Sequence, residues 1–166
     1  MKYIERQKFN QWWLWLLLFV TLGFTFFPLV QAVLAGAFSA SLLVGPAVVA
    51  AVMIFIATLE LRTTITQDGI EVKFWPIITK RIFRSEIEGA AVRKYSPLGD
   101  YGGWGYRISL NGTAINMQGN QGMLLALKDG QKLMIGTQQP EALAKFMKQY
   151  LAAEEGDDLE QLKLRD

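Results

Sequence analysis

The chain has 166 residues, 51% of them hydrophobic, and a formal net charge of +2. It contains neither cysteine nor histidine, which excludes disulfides and thiolate chemistry and removes the commonest neutral-pH base and zinc ligand. Any catalysis would fall to carboxylates, Lys, Tyr, Ser or Thr.

The first element is a short basic flank, residues 1–11, with Lys2, Arg6 and Lys8 against Glu5. From Phe9 to Leu59 no residue is charged, a run of 51 residues. One membrane span needs about 20 apolar residues. The run therefore holds two, WWLWLLLFVTLGFTFFPLV from Trp12 and SLLVGPAVVAAVMIFIATL from Ser41, joined by QAVLAGAFSA. Residues 12–59 read as a two-helix transmembrane hairpin. The first run is too long for the apolar core of a signal peptide, and the second behaves as a stop-transfer segment. Trp12, Trp13 and Trp15 head the first span, where indole rings favour the headgroup level. Gly45 and Pro46 predict a kink or a close helix contact in the second. With no ionisable group inside either span, neither carries a proton relay or ion pathway. Basic residues flank both outer ends and none lies in the connection. This places both termini, and everything after Glu60, in the cytoplasm.

From Leu61 the pattern changes to alternation. LRTTIT and IEVKFW flank Asp68-Gly69, a hairpin signal; ITKRIFR and IEGAAVRKY follow. WGYRISL and TAINMQ flank Asn111-Gly112, and MLLAL and KLMIG flank Asp129-Gly130. Pro140 then opens EALAKFMKQYLA in its first turn, with Leu143, Phe146, Met147, Tyr150 and Leu151 at helical spacing; Thr137 is its cap, or Gln138 and Gln139 lie just outside. The expectation is an α+β membrane protein. Residues 60–153 form a barrel of about seven strands capped by a C-terminal α-helix, and residues 154–166 an acidic, mobile tail.

Three stretches, FRSEIEGAAV, YGGWGYR and LKDGQKLMIGTQQPEALAKFM, give the chain its likeness to a known family. With the two preceding spans, it resembles the bacterial PH-domain membrane proteins over roughly residues 12–153. The resemblance implies a pleckstrin-homology (PH)-like barrel closed at one end by its helix, in the inner (plasma) membrane of a bacterium. It also implies a domain of a kind that binds phosphoinositides, proteins or nothing known. The lysine-rich first hairpin of phosphoinositide-binding PH domains has no counterpart here, where the turn is Gln67-Asp68-Gly69.

Two candidate sites follow. SPLGDYGGWGYR, residues 96–107, is unusually rich in glycine and aromatics. It precedes a strand rather than a helix and lacks the Lys-Ser or Lys-Thr of a phosphate cradle. It reads either as an inter-strand loop with a glycine bulge or as a partner-binding loop through Tyr101, Gly102, Gly103, Trp104, Tyr106 and Arg107. The second candidate is basic. The segment 60–153 carries twelve basic residues against eight acidic ones, and Lys80, Arg81, Arg84, Arg93 and Lys94 lie close in sequence. A basic face beside an anionic leaflet would hold lipid headgroups. Asp68, Asp100 and Asp129 all fall in glycine-containing turns and suggest turn chemistry, not an active site. The reading is a non-enzymatic, membrane-anchored scaffold without cofactor or metal. Its partners are the lipid bilayer and a protein chain, another copy included. No nucleic acid or small-molecule substrate is expected, and a helical subunit of a membrane complex is a further alternative.

Overall fold

The computed structural model describes the backbone of residues 1–163 and the side chains of residues 1–152. The chain divides into two compact units.

Phe9–Leu59 form one unit by themselves. Helix α1 (Trp12–Leu34) is apolar all round and buries none of its side chains. A 3-10 turn (Ala40–Leu43) leads into helix α2 (Val44–Thr58). Both helical segments, Trp12–Leu34 and Ala40–Thr58, are long and apolar enough to cross a membrane. The connection is shorter than the sequence suggests, because α1 continues to Leu34. Pro46 follows directly on the change from 3-10 to α-helix. It sits in the first turn of α2, where proline is well tolerated. The two helices approach closely at Gly45, where a Cβ would lie 3.4 Å from that of Thr25.

The second unit joins Met1–Lys8 to the chain from Glu60 onward. Its first sheet is an antiparallel meander of β1 (Tyr3–Lys8), β2 (Glu60–Thr66), β3 (Gly69–Trp75) and β4 (Ile78–Phe83). The basic flank is thus a strand of this sheet, with Lys8 opposite Glu60 and Tyr3 opposite Ile65. A 3-10 turn (Arg84–Glu86), closed by a 2.8 Å bond from the Phe83 amide to Glu86 Oε2, carries the chain into the second sheet. That sheet has β5 (Ile87–Lys94), β6 (Gly105–Ser109), β7 (Gly112–Asn116), β8 (Gln121–Leu127) and β9 (Lys132–Gly136), in the order β5-β8-β9-β7-β6. All its pairs are antiparallel except β7–β9.

A closed barrel is not what these strands build. Among the described residues the ladders stop at β4 and β1 on one sheet and at β5 and β6 on the other, leaving two open sheets. The nine strands also exceed the seven or so expected, with β1 outside the segment in which strands are predicted. The alternation of β2 and β3 is kept: Leu61, Thr63, Ile65, Ile70, Val72 and Phe74 are buried and the residues alternating with them are not. From the second sheet Ile115, Met123, Leu125, Leu133 and Ile135 are fully buried.

Helix α3 (Pro97–Tyr101) lies in the connection from β5 to β6, and helix α4 (Pro140–Lys163) ends the chain. Leu143, Met147 and Tyr150 are the buried stripe of α4, which packs against β5 and β8. The predicted acidic tail, 154–166, continues this helix as far as Lys163; residues 164–166 lie outside the described residues. Gly156, Asp157 and Asp158 are poor helix formers, so the helix continues there against local propensity, with Glu154, Glu155, Leu159 and Glu160 favouring it on either side.

The start of α4 is bound to β1. Glu5, only 4% exposed, accepts four hydrogen bonds from neutral donors. Oε2 takes the Tyr3 hydroxyl at 2.8 Å and the Thr137 hydroxyl at 2.7 Å. Oε1 takes Gln7 Nε2 at 3.0 Å and the Gln138 amide at 2.7 Å. Thr137 Oγ1 also accepts from the Gln139 amide at 3.0 Å, so one hydroxyl serves both the helix entrance and the strand.

Candidate functional site

The stretch 96–107 is not a plain loop. Ser96 caps helix α3, its Oγ accepting from the Gly99 amide at 3.1 Å, while Asp100 Oδ2 accepts from the Ser96 amide at 2.8 Å. Gly102 ends the helix in the left-handed region at φ 72°, where a side chain would be strained. Its amide and that of Gly103 bond back to the Leu98 and Pro97 carbonyls at 3.0 and 2.9 Å. Much of the glycine content is therefore explained by a helix stop.

The aromatics here are anchors. Tyr101 is 5% exposed and packs with Tyr95, Ala114 and Met134 on the face of the second sheet away from the main core. Its ring meets that of Tyr95 edge-on at 5.8 Å. Trp104 is half-buried and donates its indole N–H to the Gly119 carbonyl at 3.0 Å. Tyr106 is half-buried on β6, Gly102 and Arg107 are exposed, and Gly103 is buried. Arg107 Nε donates to the Trp104 carbonyl at 3.0 Å. Beneath them Asn116, fully buried, donates to the Tyr95 hydroxyl at 2.7 Å and accepts the Gly105 amide at 2.8 Å. Burial raises the Tyr95 phenol above its ordinary range, opposed by the bond from Asn116. Burial also raises that of Tyr101, opposed by the charge of Arg93.

What this scaffold leaves open lies beside it. An open groove of about 630 Å³ runs between α3, the β6–β7 turn and the β8–β9 turn. Leu124 and Tyr101 supply apolar wall, and Arg93, Asp100 and Lys132 supply charge. One rim is the end of β6, the edge strand, where Ile108 is 75% exposed and Leu110 wholly exposed. At the adjoining turn Gly112 has φ +108°, and a Cβ there would fall 2.3 Å from the Lys132 carbonyl oxygen, so the turn accepts only glycine.

The five basic candidates do not form one face. Lys80 and Arg81 alternate across β4, and Arg93 and Lys94 across β5. Arg81 Nε is paired with Glu71 Oε2 at 2.5 Å. Arg84 is bound to α4: its guanidinium lies 4.5 Å from the Tyr150 ring centroid and donates to the Tyr150 carbonyl at 2.7 Å. Only Arg93 lines the groove. In the other unit, Trp12 and Trp13 are exposed on the first turn of α1, and Trp15 donates its indole N–H to the Phe9 carbonyl at 3.2 Å.

Two of the three carboxylates of the predicted turns, Asp100 and Asp129, have local work. Besides Asp100, Asp129 Oδ1 accepts the Gln131 amide at 2.9 Å. Sequence reasoning misses Ile108 and Leu110. The only available signal is two apolar residues flanking Ser109 just before an Asn-Gly turn, where polar residues are the rule. No protein-family model matches the chain, and no curated protein matches it.

Proposed function

We propose that this chain is a non-enzymatic, membrane-anchored binding module that offers the β6 edge to an extended segment of a protein partner or a second copy. The observation that carries this reading is the open β6 edge with Ile108 and Leu110 exposed beside a partly apolar groove. An edge strand presents unpaired backbone N–H and C=O groups, and natural sheets normally blunt such edges with charge. Added strands take main-chain hydrogen bonds from the edge and specificity from neighbouring pockets. Arg93 and Lys132 in the groove favour a segment with acidic residues next to its apolar anchor.

The hairpin is the anchor, spanning a bacterial plasma membrane twice with both termini in the cytoplasm. Two spans return the chain to the side it left, in agreement with the pairing of Lys8 with Glu60. Headgroup binding by Lys80, Arg81, Arg84, Arg93 and Lys94 receives little support, since two of them are engaged with Glu71 and Tyr150 and the rest diverge.

The test is crosslinking and affinity purification of the full-length chain from its own membranes, beside Ile108→Asp/Leu110→Asp. Both positions are exposed, so the variant keeps the fold, checked by its melting midpoint. A crosslinked protein or dimer that disappears in the variant supports the reading. The same crosslinks in both would refute it. Tyr101 and Trp104 are unsuitable probes, because their removal disturbs the scaffold.

A further inference from the structure

The outer face of the first sheet carries a row of cations assembled from three distant parts of the sequence. Arg6 on β1, Arg62 on β2 and Lys73 on β3 stand directly opposite one another. Directly paired residues share a face, about 5 Å apart. Like charges so placed destabilise a sheet unless something negative lies over them. Lys8 is on the same face one step further along, opposite Glu60. The ion pairs described on this face are Glu60–Arg62 at 3.3 Å and Glu71–Arg81, so Arg6, Lys8 and Lys73 leave an excess of positive charge.

The apolar neighbours of this row point to its occupant. Trp75 is opposite Glu60 and 56% exposed; Ile77 in the same turn is 52% exposed. Lys73 Nζ lies 5.6 Å from the Trp75 ring centroid. Glu60, Arg62, Lys73 and Trp75 together line a shallow depression. This end of the sheet is also the one from which the chain passes directly into the apolar segment, at Lys8–Phe9, and returns, at Leu59–Glu60. Cations beside an exposed indole, next in sequence to a segment apolar enough to span a membrane, fit the headgroup layer, where phosphate meets the first acyl carbons.

We infer that Arg6, Lys8 and Lys73, around the Glu60-paired Arg62 and beside Trp75 and Ile77, bind the phosphate of an anionic phospholipid in the leaflet that the hairpin enters. This inference rests on the reading of the hairpin as membrane-spanning.

The test uses full-length protein in phosphatidylcholine nanodiscs with and without phosphatidylglycerol, and in detergent with inorganic phosphate. Phosphatidylglycerol should raise the melting midpoint by about 4 °C or more. Arg6→Gln/Lys73→Gln should lose at least half of that rise, and Lys80→Gln/Lys94→Gln should keep it. In pure phosphatidylcholine the first variant should melt at or above the parent, since it relieves like-charge contacts. An equal drop of this variant in both lipids would show the row to be structural and overturn the proposal. Inorganic phosphate raising the midpoint as much as phosphatidylglycerol would overturn the lipid as its source. Alkaline carbonate extraction separates the two readings. A chain released from membranes refutes the spanning hairpin; a chain retained but indifferent to phosphatidylglycerol refutes the lipid site alone.

Discussion

Glu5 is held in the interior by hydroxyl, amide and backbone donors, and Tyr3 is one of them. Burial first, then the hydrogen bond and charge of Glu5, push the Tyr3 phenol well above its ordinary value of 10.0. Tyr95 and Tyr101 are raised by burial as well. A group whose pKa is higher in the folded state stabilises the fold fully below its unfolded pKa. That stability is lost as pH rises through the folded value. The protein should therefore lose stability as pH climbs past about 10, where unfolded tyrosines ionise. Denaturant midpoints between neutral and strongly alkaline pH check this, and Tyr3→Phe should flatten the alkaline decline. None of this is legible from the flank itself. The inward positions of β1 are Tyr3, Glu5 and Gln7, so no apolar alternation marks a strand. Its partner β2 lies beyond the whole hairpin.

Helix α4 is the best-marked element of the second unit, because Leu143, Met147 and Tyr150 repeat at the period of a helix and all three are buried. Leu143→Ala should cost ~2–5 kcal/mol, against little change for Lys145→Ala on the exposed face. Urea titration of the purified full-length variants reads the difference. The hairpin turns at Asp68-Gly69, Asn111-Gly112 and Asp129-Gly130 are also where sequence chemistry puts them. Helix α3 is not legible by period. Its five residues include a glycine, and it exists through the Ser96 cap and the Gly102 stop. The glycines of 96–107 therefore suggest a loop while serving a helix end. The exposed Ile108 and Leu110 follow from the position of β6 at an edge, and only the strand order reveals that.

At the scale of the molecule, the two apolar segments and the strand-rich part after Glu60 are legible because charge and periodicity are local properties. The arrangement of strands is not. The parallel pairing of β7 with β9 and the division into two sheets depend on contacts between segments far apart in sequence. The absence of cysteine makes the proposed topology easy to examine. A thiol-reactive reagent that cannot cross membranes should label Ser39→Cys on intact cells and Gln67→Cys only after permeabilisation. Equal labelling of both on intact cells would sink the two-span arrangement.

The pairing of Lys8 with Glu60 also bears on how such a chain is made. β1 leaves the ribosome before its ladder partner, which follows only after the 51 uncharged residues, and Thr137 and Gln138 emerge later still. A nascent chain that inserts a single span strands β1 and β2 on opposite sides of the bilayer. Glu5 then has no helix to hold, and the first sheet lacks a strand. On the proposed two-span topology, completion of the strand-rich unit would act as an internal proofreading step for insertion, with failed chains left partly unfolded and open to proteolysis.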